Sequence, residues 1–110
     1  MADIKEARVG VIQRVLEGDG QASRAHRRAS FDDADLTEPL RALVHNVATQ
    51  SWKVTDREIA AVRAAGHSED QIFELVVCAA VGQANRQYET AMAALEAATD
   101  GKNHAPRDSR

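Results

Sequence analysis

TDREIAAVRAAGHSEDQIFELVVCAAVGQANRQYETAMAALEAAT, residues 55–99, decides the fold. Thr55 and Glu58 have the S/T-x-x-E/Q spacing of a capping box, in which a hydroxyl and a carboxylate satisfy two free backbone donors at a helix start. The helix they open is short: Ile59, Ala60, Val62 and Arg63 lead to Gly66, placed as a C-cap glycine. Ser68 and Gln71 then repeat the capping-box pattern. Two such boxes flanking a glycine predict a helix–turn–helix pair. The second arm is the longest helix of the chain, about Ser68 to Thr99. Phe73, Val77, Ala80, Ala84, Tyr88, Ala91 and Leu95 recur at intervals of three and four, the spacing of one helix face. Ile72, Val76, Ala79 and Met92 broaden that stripe, and Gly82 and Ala84 narrow it enough for close packing.

The preceding sequence is helical too. Ile4, Ala7, Val11 and Val15, widened by Val9, Ile12 and Leu16, predict a first helix over Ile4–Glu17 with Asp3 as N-cap. Gly10 weakens it by about 1 kcal/mol relative to alanine and marks a possible close helix contact. Gly18-Asp19-Gly20 stops it. A short second helix is expected over Gln21–Phe31, followed by an acidic turn at Asp32, Asp33 and Asp35. Thr37 is placed to cap a third helix, with Glu38 and Pro39 in its first turn and Leu40, Leu43, Val44 and Val47 on one face. Gln50–Val54 connects it to the capped pair. There is no strand pattern and no internal repeat. The expectation is an all-α bundle, one helical domain over residues 1–99, with a polar, disordered tail over 100–110.

Hydrophobic residues make up 44% of the 110, but aromatics only 4%. Alanine dominates the remainder and buries little area per residue, so a lone chain of this size has a marginal core. Part of the apolar surface is therefore expected to be buried in a homo-oligomer. The net charge of −3 lacks the basic face of a nucleic-acid protein. The second arm of the capped pair opens EDQIFELVV, an acidic and apolar start unsuited to a DNA groove. Arg24, Arg27 and Arg28 read as a solvated helix face, with an anion site as the lesser alternative. A single cysteine, Cys78, rules out an intrachain disulfide and fits a reducing cytoplasm. Met1–Glu6 has no apolar h-region, and no apolar run approaches 18 residues, so neither a signal peptide nor a membrane span is expected. There is no P-loop, no G-x-G-x-x-G and no G-x-S-x-G, and the Gly18-Asp19-Gly20 segment reads as a turn.

The order of elements over Leu40–Ala97, with AVRAAGHSEDQIFEL followed by an alanine-rich helix, resembles the alkylhydroperoxidase D-like and carboxymuconolactone decarboxylase-like superfamily. That resemblance covers a little over half the chain. It implies a helical unit assembled as a trimer or hexamer. Peroxidase-branch members carry a C-x-x-C pair at a helix start and a histidine four residues later. Aligned on Ala64-Ala65-Gly66, Ser51 falls at the first cysteine, Val54 at the second and Glu58 at the histidine. Lys53 falls at a histidine found between the cysteines in some members. Glu38 is the nearest counterpart of a proton-relay glutamate. Peroxide reduction of that type needs a low-pKa thiolate and a resolving thiol. Ser51 and Val54 provide neither.

The remaining chemistry is sparse. Cys78 lies among Val76, Val77 and Ala79, surroundings that make a thiol inert, and reads as packing in preference to a redox centre. Glu58 is explained by its capping box; as a general base it would line the cleft where the family keeps its redox centre. His45 either makes a structural hydrogen bond or points into that cleft as an acid or base. His26 is expected to be exposed, and His67 lies in the tight turn. No H-x-x-x-H or H-E-x-x-H spacing indicates a metal site, and no cofactor is expected. Trp52 is expected to anchor its loop to the core, or to wall a pocket with Glu38, Ser51 and Lys53, or an oligomer contact. Three readings follow: a non-redox oligomeric module binding a small molecule or a partner, an acid–base enzyme of the decarboxylase type using Glu58 and His45, and a residual peroxidase using Cys78.

Overall fold

A computed structural model of the chain describes the backbone of residues 2–104 and the side chains of residues 4–100. The described residues form helices only: α1 (Ala2–Glu17), α2 (Arg24–Asp32), α3 (Leu40–Thr49), a single 3₁₀ turn (Ser51–Lys53), α4 (Asp56–Ala64) and α5 (Glu69–His104). None of them is long and apolar enough to cross a membrane.

Both capping boxes form. Thr55 Oγ1 accepts from Glu58 N while the Glu58 carboxylate accepts from Thr55 N at 3.0 Å. Ser68 and Gln71 make the same reciprocal pair. Between them, Gly66 adopts a φ of 112°, Gly66 N donates to Arg63 O, and His67 N donates to Val62 O. This is the Schellman arrangement, which closes off α4 and turns the chain into α5.

Helix α5 is the spine, packed chiefly along α2 and α3. One core cluster gathers Leu43 and Val44 of α3, Val62 of α4, and Ile72, Leu75 and Ala79 of α5. A second, smaller cluster joins Leu16 of α1, Phe31 of α2 and Cys78 of α5. At Gly82 the α5 backbone lies against Phe31, where an added Cβ would sit 1.9 Å from Phe31 O. Arg86 Nη1 donates to the same carbonyl at 2.6 Å.

The buried face of α5 is Ile72, Leu75, Cys78, Ala79 and Gly82. It lies one position away from the Phe73-to-Leu95 stripe picked out in the sequence. That stripe is a second apolar line: Phe73 is 69% exposed and Leu95 58%, with Ala80, Ala84, Tyr88 and Ala91 also exposed. Both lines obey helical spacing, and periodicity alone does not say which meets the neighbours. From Gln87 to Asp100 every residue of α5 is exposed. The molecule is accordingly elongated, 63 × 28 × 21 Å.

Other expectations are corrected. Helix α1 begins at Ala2, so Asp3 lies inside it and does not cap it. An added Cβ at Gly10 meets nothing within 4 Å, so no helix approaches there. Helix α2 starts later than expected, capped by Ser23 through His26 N. In α3 the Glu38 carboxylate, not the Thr37 hydroxyl, accepts from a first-turn amide, that of Ala42. Trp52 does not anchor its loop: it is 76% exposed on the 3₁₀ turn. Of the arginine cluster, Arg24 and Arg28 are solvated but Arg27 is buried. Helix α5 continues through His104, past the expected end at Thr99; residues 105–110 of the expected tail lie outside the described residues.

Candidate functional site

The candidate residues lie before α3 (Glu38), on α3 (His45), on the 3₁₀ turn after it (Ser51, Trp52, Lys53) and on α4 (Glu58). Glu58, on the first turn of α4, divides its carboxylate: Oε1 accepts from Thr55 N, and Oε2 accepts from Asn46 Nδ2 at 2.6 Å. His45, the residue before Asn46, points to another partner. Its Nδ1 lies 2.9 Å from Asp33 Oδ2 at the C-cap of α2. Neighbours on a helix point about 100° apart, and the hydrogen bonds of Glu58 and His45 form two separate sets. Ser51, Trp52 and Lys53 are exposed on the 3₁₀ turn. Glu38 lines a cavity of about 330 Å³ with Asp35, His26 and His67, whose rings meet edge-on at 5.6 Å. Ser51, Trp52, Lys53, His45 and Glu58 do not share that cavity. Among the described residues, no three His, Cys, Asp or Glu side chains are grouped to hold a metal ion.

Cys78 is 1% exposed and its Sγ lies 3.3 Å from Val15 O. Burial, helped by the negative charge of Glu74, pushes its thiol up to about 11 against a smaller downward pull from Arg27. A thiol held protonated in this way is neither a nucleophile nor a ready reductant at neutral pH.

The most developed polar arrangement lies where α1, α2 and α5 meet. Glu74, on the second turn of α5, receives Gln21 N on one carboxylate oxygen and Ala22 N on the other, each at 2.8 Å. Burial opposes its ionisation, but the two amide bonds and the charge of Arg27 outweigh it and hold the carboxyl below the ordinary 4.5. Gly20 lets the loop close over it, since a Cβ there would lie 2.7 Å from Glu74 Oε1. Arg27 is 6% exposed, and its Nη1 donates to Gly18 O at 2.6 Å. Its Nε is buried with no hydrogen-bond partner among the described residues. Beside it opens a cavity of about 120 Å³, lined by Arg14, Val15, Asp19, Arg27, Phe73, Glu74 and Val77.

Sequence reasoning missed this junction. The i, i+3, i+4 arginine spacing marks a helix face without saying which arginine is turned inward. The Gly18-Asp19-Gly20 turn was visible, but not the carboxylate it wraps, more than 50 residues downstream.

No protein-family model, curated protein or solved structure matches this chain.

Proposed function

We propose that the chain is a non-redox assembly module of the alkylhydroperoxidase D-like and carboxymuconolactone decarboxylase-like type, a homo-oligomer that binds a small molecule or a partner without thiol chemistry. One observation carries the assembly reading: among the described residues, the outer half of α5 beyond Tyr88, whose ring meets the Arg8 guanidinium of α1, is a lone helix with an unpartnered apolar line. Tyr88, Met92 and Leu95 are 36%, 37% and 58% exposed, and every residue from Gln87 to Asp100 is exposed. The outer half is propagated from the packed inner turns, but without tertiary packing of its own its helical state is marginal in water. A second copy of α5 supplies that packing. Along the stripe, Phe73 and Ala84, Val77 and Tyr88, Ala80 and Ala91, and Ala84 and Leu95 are each 11 residues apart. An 11-residue repeat keeps an apolar seam nearly straight along a helix, as helix-to-helix pairing needs.

The non-redox part rests on Ser51 and Val54, which replace the family's cysteines, and on the buried, protonated Cys78. The acid–base alternative draws less support, since Glu58 is held by Thr55 and Asn46 while His45 faces Asp33.

Light scattering behind size exclusion tests the assembly. At micromolar concentration the mass is expected to be an integer multiple of 12.0 kDa, and Leu95→Glu combined with Met92→Glu is expected to reduce it toward one chain. A wild-type mass of one chain sinks the reading.

A further inference from the structure

We infer that the cavity between α1, α2 and α5 is a binding site for a small carboxylic acid with a compact apolar body, seated by Arg27. The inference is independent of the assembly reading, whose surface is the outer half of α5.

Arg27 is a cation more than nine-tenths buried. Its guanidinium is only partly used: Nη1 is committed to Gly18 O, and the Nε–H edge is left without a protein acceptor among the described residues. Buried donors in folded proteins are nearly always paired, so an unpaired one beside a cavity points to an acceptor that comes from outside. The edge of a guanidinium presents parallel N–H groups whose spacing matches the two oxygens of a carboxylate.

The other charges in the cavity permit this. Glu74 is negative, but both of its oxygens already accept backbone amides, and Arg27 offsets its charge. Asp19 and Arg14, both exposed, also line the cavity and add one charge of each sign. An incoming carboxylate therefore meets a charge-balanced site whose wall includes a buried guanidinium with one unpaired N–H.

The rest of the wall is apolar. Val15, Val77 and Phe73 line it, and Phe73 is 69% exposed, a large ring left in water beside the opening. At about 120 Å³ the cavity suits a body near the size of one six-membered ring, since an engineered protein cavity of ~150 Å³ takes benzene.

The test uses the full-length protein labelled with ¹⁵N, titrated with benzoate, with benzamide (the same ring without the charge) and with inorganic phosphate (an anion without the ring). Benzoate is expected to shift the Arg27 Nε–H resonance and the Gln21 and Ala22 amides saturably, with benzamide and phosphate at least about tenfold weaker, the worth of a charge-assisted hydrogen bond. Arg27→Lys keeps the charge but loses the planar fork, and is expected to weaken benzoate about tenfold or more. Arg27 also holds Gly18 O, so Phe73→Ser provides a second variant. Its side chain is exposed, the fold is expected to be retained, and benzoate is expected to bind at least about fivefold more weakly. Benzamide binding as well as benzoate, benzoate leaving the Arg27 Nε–H unmoved up to solubility, or Phe73→Ser binding benzoate undiminished would each overturn the inference.

Discussion

At Glu74 a single carboxylate holds a loop whose apolar anchor is the small side chain of Ala22. Its two oxygens hold Gln21 N and Ala22 N, and these bonds with Arg27 keep its pKa depressed against the opposing effect of burial. A carboxyl whose folded pKa lies below its unfolded value stabilises the fold above the unfolded pKa, and that stabilisation is lost as pH falls through the folded pKa. Glu74→Gln is therefore expected to cost about 1–2 kcal/mol near neutral pH, from weakened charge-assisted bonds. The gap in urea midpoint between variant and wild type is expected to narrow as pH falls below the ordinary 4.5. A gap that is constant across the acid range would contradict the role given to the ionised carboxylate. Cys78 provides a second check at this scale. With its thiol pushed up to about 11 and 1% exposed, it is expected to resist a disulfide reagent in the native protein at mildly alkaline pH and to react fully once the chain is unfolded. Native labelling as fast as a free thiol would revive a redox role. Its burial was readable from the apolar neighbours in sequence. The Glu74 bonds were not, because nothing local indicates which acidic residue of a helix start will be met by a loop some 50 positions away.

At the scale of elements, the signals that translated faithfully were those closed within a few residues. Thr55 with Glu58, Ser68 with Gln71, and Gly66 at the turn all depend on hydrogen bonds spanning a handful of positions, and each formed as the spacing implied. The choice of face was half right: Ile72, Ala79 and Gly82 of the broadened stripe are buried, but its Phe73-to-Leu95 centre line is open. The apolar positions of α5 form two adjacent lines, and the buried one runs through Gly82, where α5 comes into backbone contact with Phe31. The sequence marked Gly82 as permitting close packing but did not name its partner. It marked Gly10 on the same grounds, and there nothing approaches. The two glycines give a contrasting prediction. Gly82→Ala places a methyl 1.9 Å from Phe31 O and is expected to destabilise by about 1–3 kcal/mol or more, as overpacking against backbone does. Gly10→Ala, with open space around it and a helical backbone, is expected to stabilise by about 0.5–1 kcal/mol. Thermal unfolding of the two variants measures both; equal effects would mean that the α2–α5 contact is not as close as the structure places it.

For the whole molecule, the unequal coverage of α5 is the governing fact. Its first half is wrapped by α2, α3, α4 and part of α1, and carries both core clusters. Its second half extends from them, giving a molecule 63 Å long and 21 Å across. The alanine-rich, aromatic-poor composition already implied that one chain cannot bury enough area. It could not locate the deficit, because the same alanines serve the core at Ala79 and the open stripe at Ala84 and Ala91. If a second copy covers the outer half, its backbone amides are protected only in the assembled state. Amide hydrogen exchange over residues 88–99 is then expected to slow as protein concentration rises, whereas the amides around Leu75 and Ala79 exchange at a rate independent of concentration. Leu95→Glu with Met92→Glu is expected to abolish the concentration dependence and leave the inner half unchanged. Outer-half amides that exchange equally fast at all concentrations would mean that α5 stands alone there, and the assembly reading would lose its physical basis.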